Sequence, residues 1–177
     1  MVSSPQQTIK RELASIPSQS WQSSYVNDSN ESETISWIPL FKIDSGKTLG
    51  LSENGYWVSN SGTSVVVYKP GKLVLSLFPC LEMEYDNFFD KAKAAFLKLE
   101  LSQELINTFP TSELVFLALT DVSGYWAELA LSWLEHITIN DQIKKQLLQI
   151  TKDKDLSQKT RQKASKFLKG KIKQKAS

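Results

Sequence analysis

The chain holds one cysteine, Cys80, and one histidine, His136, so the chemistry open to it is narrow. A structural zinc site takes four Cys or His ligands, which leaves that class out. Ser132 and His136 stand one helical turn apart. Nucleophilic catalysis would also need a third group to orient the imidazole, and an oxyanion hole. Both residues fall in one polar stripe with Glu128 and Glu135, so a rim face is expected rather than a catalytic pair. Cys80 lies between Pro79 and Leu81 with no histidine near it, and reads as a small core residue. Glu82, Glu84 and Asp86 alternate with Leu81, Met83 and Tyr85, and on an extended segment they would share one face. Three carboxylates could hold a hard cation, but no glycine loop of fixed spacing accompanies them, so a solvated strand edge is expected. Neither G-x-x-x-x-G-K-[ST] nor G-x-G-x-x-G occurs. The residue types predict no catalytic residue, no cofactor and no metal.

Charge is the remaining signal. The net charge of +2 hides a split: from Lys144 onward twelve basic residues face two aspartates, a net +10, and the preceding part carries −8. On a helical wheel Lys159, Lys163, Lys166 and Lys173 gather on one side, opposite Phe167 and Leu168, with Lys169 close by. Such a face could meet an acidic protein or several phosphates. It is mostly Lys rather than Arg and carries no interleaved aromatic, a pattern that more often keeps a helix soluble than reads bases. Lys159, Lys163, Lys166, Lys169 and Lys173 are the candidate partner-binding residues. A protein partner is expected, with nucleic acid the alternative.

These residues must be positioned by helices. Ser123 to Ile137, SGYWAELALSWLEHI, is apolar around most of its wheel and must be packed on several sides. Its neighbours supply the cover. Thr111 or Ser112 caps ELVFLAL, Asn140-Asp141 caps a helix with Ile143, Leu147, Leu148 and Ile150 inward, and Ser157 caps one turning Ala164, Phe167, Leu168 and Ile172 inward. Short loops predict antiparallel helical hairpins. Upstream, Asp86 caps a helix through about Leu99, and Ser102 starts a short one ending before Pro110.

The first half reads differently. Ser4-Pro5 opens a helix carrying Ile9, Leu13 and Ile16. Residues 18–34 are rich in Ser, Asn and Gln and read as a mobile loop or linker, with Trp21, Tyr25 and Val26 as anchors. From Ile35 to Phe78, runs of β-branched and aromatic residues alternate with turn pairs such as Asn54-Gly55 and Ser61-Gly62. The strands expected are Trp37–Ile43, Lys47–Leu51, Tyr56–Val58, Ser64–Tyr68 and Leu73–Phe78, with Pro39 marking an edge or an irregularity.

Within that region, the stretch from Trp37-Ile38-Pro39 through Gly46 to the strand ending at Leu51 resembles the core of the SUKH superfamily, which includes bacterial toxin-immunity proteins and a fungal regulator of cell-wall assembly. The resemblance spans roughly residues 5–99, with the N-terminal helix and the helix at Asn87 to Leu99 in the family's places. It implies an α+β binding module without catalysis, holding a protein partner on its sheet and nearby loops.

The fold class expected is α+β: an antiparallel β-meander of four to five strands flanked by helices, then a C-terminal α-helical bundle. The division expected is an α+β part at 1–100 and a helical extension at 101–177. No apolar run approaches the ~18 residues of a membrane span, and the first residues, MVSSPQQTIKREL, lack a secretory h-region. With the lone Cys80, this points to the cytoplasm and to no membrane role. The function expected is a non-catalytic, immunity- or regulator-like protein-binding module.

Overall fold

The computed structural model describes residues 4–27, 33–69, 75–121 and 124–170. The chain divides into two compact units, Met1–Cys80 with Asp86–Phe109, and Leu81–Tyr85 with Pro110–Ser177. Residues 101–109 belong to the first unit, and the short strap 81–85 to the second.

The first unit is built on five strands: β1 (Gln22–Val26), β2 (Thr34–Lys42), β3 (Thr48–Ser52), β4 (Trp57–Ser61) and β5 (Ser64–Val67). They form a closed barrel in sequence order, which overturns the open antiparallel meander. Successive strands in an up-and-down meander reverse direction, so the first and fifth run the same way. Closing five of them therefore requires one parallel seam. That seam is β1 against β5, Tyr25 beside Ser64 and Val26 beside Val65. The other four pairings are antiparallel.

Closure also corrects two strand assignments. Residues 18–34, a loop on composition, contribute the short 3-10 turn Ser18–Ser20 and the whole of β1; 28–32 lie outside the described residues. The Leu73–Phe78 strand does not form in its described part: Leu75–Glu82 is a 3-10 helix containing Pro79, while 70–74 lie outside the described residues. The place beside β5 is taken by β1, so no ladder partner is left for that segment. It is fastened by side chains instead. The Tyr68 hydroxyl lies 2.7 Å from Ser59 Oγ and 2.8 Å from Ser76 Oγ, and Lys47 Nζ donates to the Ser76 carbonyl at 3.4 Å.

The register decides which side chains enter the barrel. Ile35, Trp37, Val58, Val65 and Val67 form the inner cluster, with Val26 and Tyr56 against it. Trp37 is buried among them, its indole N–H donating to Ser24 Oγ at 3.0 Å. Gly50 of β3 makes room for it: a Cβ there would lie 2.6 Å from the Trp37 ring and would also strike the Ile38 carbonyl. Pro39 sits where the β2–β3 register shifts, at a bulge, as its missing N–H suggests.

Outside the barrel, helix α2 (Tyr85–Lys98) and Phe109, which follows the 3-10 segment Gln103–Thr108, supply the rings that meet β2 and β4. Trp57 meets Phe96 and Phe109 edge-on and donates from its indole to Thr108 Oγ1 at 3.0 Å, and Phe41 meets Phe88. Leu49 to Ser52 of β3 are therefore buried on both faces. Helix α1 (Pro5–Leu13) starts with a full capping box, Ser4 with Gln7, and buries Ile9 and Leu13. It reaches the β3–β4 turn at Gly55, where φ is +78° and a Cβ would strike the Gln6 carbonyl.

The second unit is the helical bundle the periodicity predicts: α3 (Thr111–Thr120), α4 (Tyr125–Trp133), α5 (Asp141–Lys152) and α6 (Gln158–Leu168). Asn140 and Ser157 cap α5 and α6 as their positions suggest, through bonds from Ile143 N–H and Thr160 N–H. Helix α3 packs on α4 and α5 on α6, and the two hairpins meet with α3 on α5 and α4 on α6. Ala127, Ala130, Leu131 and Trp133 of α4 are buried, as an all-round apolar helix requires. Ala164 and Phe167 of α6 are buried, whereas Leu168 is 37% exposed and Ile172 lies outside the described residues. The strap 81–85 joins this core. Trp133 Nε1 donates to the Met83 carbonyl at 2.9 Å, and Tyr85 meets the Trp133 ring edge-on.

Candidate functional site

The polar stripe of α4 and the basic side of α6 meet each other. Lys159 Nζ lies 2.6 Å from Glu128 Oε1; Lys163 Nζ lies 3.1 Å from Ser132 Oγ and 3.5 Å from Glu135 Oε1. Lys163 is only 26% exposed, so this pair is partly shielded from water. Two of the five candidate lysines therefore hold α6 to α4, Lys166 and Lys169 are exposed, and Lys173 lies outside the described residues. The stripe expected at the rim thus serves as a helix-to-helix contact.

The other sequence candidates also find local roles. Ser132 accepts from Lys163, and the His136 ring stacks on Tyr85 at 4.2 Å between centroids, nearly parallel. Glu82, Glu84 and Asp86 do not share a strand face: they lie on the end of a 3-10 helix, in a loop and in the first turn of α2. Glu82 accepts from the Tyr125 hydroxyl at 3.0 Å, and that bond raises the phenol's pKa by favouring the protonated form. Cys80 is buried, and desolvation pushes its thiol well up against the pull of Lys47, the profile of an unreactive core residue. Among the described residues no group of three or more His, Cys, Asp or Glu side chains is placed to hold a metal. Among the same residues, no helix is long and apolar enough to cross a membrane.

What sequence reading misses is the mouth of the barrel. At the end where β1 and β5 finish and β2 and β4 begin, a cleft of about 400 Å³ opens beside α1. Its floor is the barrel's own interior: Val26, Ile35, Tyr56 and Val67. Its rim is polar, with Gln6 and Lys10 from α1, Glu33 before β2, Asn54 in the β3–β4 turn and Lys69 after β5. Barrel mouths with an apolar floor and a few polar groups are preferred places for ligands. A second hollow of about 300 Å³ borders Trp21 and Glu53, but there the Glu53 carboxylate already accepts from Ser36 N–H at 3.2 Å. The rim groups come from four separate stretches of chain, so no spacing motif announces them. In comparisons with known proteins, no family model, no curated protein and no solved structure matches the chain.

Proposed function

We propose that this is a non-catalytic binding module, immunity- or regulator-like in class, whose barrel mouth receives part of a protein partner in the cytoplasm. The observation that carries the reading is the cleft itself: an apolar floor continuous with the barrel core, ringed by polar side chains. The resemblance of Trp37 to Leu51 to the SUKH superfamily supports the same class. The nucleic-acid alternative is less well supported, because Lys159 and Lys163 are engaged with Glu128, Ser132 and Glu135.

The test is affinity capture from the native host's lysate at high salt after nuclease, with re-binding of the purified captured protein. Wild type is compared with Asn54→Trp, which fills the cleft from an exposed turn. One protein that re-binds wild type and not the variant supports the reading. A partner that binds both equally sinks the mouth as the site. Material lost with nuclease would favour the lysines of α6.

A further inference from the structure

The mouth also carries information about what it takes, given that it is the receptor site. Six of its side chains, Gln6, Lys10, Glu33, Asn54, Tyr56 and Lys69, make no hydrogen bond or ion pair with other described residues. Ser4 and Gln7, by contrast, are already spent on each other's backbone in the capping box of α1. The unspent set is mixed in kind. Two ammoniums outnumber one carboxylate, so the rim favours an anion; Glu33, an acceptor only, repels a polyanion but suits a backbone N–H. Asn54 and Gln6 offer both donor and acceptor. A bare anion would use the lysines and leave the apolar floor unmatched, and a hydrocarbon would use the floor and leave the charged rim to water. An extended peptide meets every requirement at once: a carboxylate for the lysines, an amide N–H for Glu33 or Asn54, and an apolar side chain for Val26, Ile35 and Val67. The volume fits a few residues of such a segment, at the small end of the ~300–1,000 Å³ usual for ligand pockets.

We infer that the barrel mouth anchors an acidic side chain together with the apolar residue beside it, within an extended segment of the partner protein. The inference rests on the receptor-site reading above.

The probe is a blocked peptide, acetyl-Gly-Glu-Leu-Gly-amide, titrated into the isotope-labelled full chain and followed by amide NMR shifts. Shifts confined to the neighbourhood of Lys10, Glu33, Asn54, Tyr56 and Lys69 are expected. Binding should be roughly tenfold weaker for the Gln-for-Glu peptide and for the double variant Lys10→Gln/Lys69→Gln, whose lysines are exposed and should leave the melting temperature unchanged. Equal binding of the Gln peptide overturns the inference, because charge then selects nothing. Acetate or inorganic phosphate giving the same shifts at the same concentration overturns it too, as an anion site indifferent to the floor. Absence of shifts at the mouth with either peptide also overturns it. The receptor-site reading fails separately, on the Asn54→Trp capture, so a failed peptide with a capture-deficient variant removes only the ligand class.

Discussion

A single missing methyl group lets Trp37 occupy the barrel. At Gly50 any Cβ would meet both the indole and the Ile38 carbonyl, and one of those is backbone in the same sheet, so the core cannot relax cheaply. Gly50→Ala is expected to cost about 1–3 kcal/mol by urea unfolding with an unchanged m-value. Gly46→Ala, at a turn with φ +85° and open space around it, should cost less, about 1 kcal/mol from backbone strain alone. Equal losses would mean that Trp37 moves aside. Tyr68 gives a pH signature. Burial, opposed by its bonds to Ser59 and Ser76, pushes its phenol up from 10.0 to about 12. Between those values the unfolded chain has released the proton and the folded chain keeps it. Stability is therefore full below pH 10 and falls as pH rises toward 12, by about 2–3 kcal/mol at most. Tyr68→Phe should lack that part of the slope, read by urea titration across the window, while the lysines' common titration cancels. A slope unchanged by the variant would place the alkaline loss elsewhere.

At the scale of elements, the helices were legible and β1 was not. Helices α5 and α6 announce themselves by capping residues and a 3.6-residue apolar period, local signals that tertiary structure had only to respect. Strand β1, Gln-Ser-Ser-Tyr-Val, has no buried residue, and Tyr25 is 58% exposed. It is a strand because the barrel needs a wall between β2 and β5, and the backbone supplies the ladder whatever the side chains. Helix α6 shows which of its contacts matter energetically. Phe167 is buried beside Ala164 and Thr160, whereas the Lys159–Glu128 pair is largely in water. Phe167→Ala is expected to destabilise by about 3–5 kcal/mol, and Lys159→Ala by less than about 1 kcal/mol, shrinking with added salt. Thermal or urea unfolding checks both, and comparable losses would make α6 an electrostatic rather than an apolar attachment.

On the scale of the whole molecule, the path of the chain joins the two units more than once. It leaves the barrel unit at Cys80, contributes 81–85 to the helical unit, returns for Asp86–Phe109, and then completes the bundle. A cut after Phe109 therefore deprives the helices of the Met83 carbonyl that takes the Trp133 N–H, and of the Tyr85 ring against Trp133 and His136. In the full chain, Trp133→Phe leaves that buried carbonyl without its donor, at an expected cost of about 1–3 kcal/mol beyond the smaller ring's lost contacts. A fragment of residues 110–177 should melt lower than the same helices do in the full chain, read by circular dichroism. An unchanged melting temperature would show the strap to be dispensable. The amino-acid sequence by itself determined what is local: the α+β composition, the helix starts capped by Ser4, Ser102, Asn140 and Ser157, the turns at Asn-Gly and Ser-Gly, and the irregularity at Pro39. Closure was decided only in three dimensions. Whether five strands stay open or meet depends on a pairing between residues some forty positions apart, Tyr25 with Ser64, which no local propensity encodes. The barrel mouth follows from that closure, because its floor and rim come from stretches that only the closed barrel brings together.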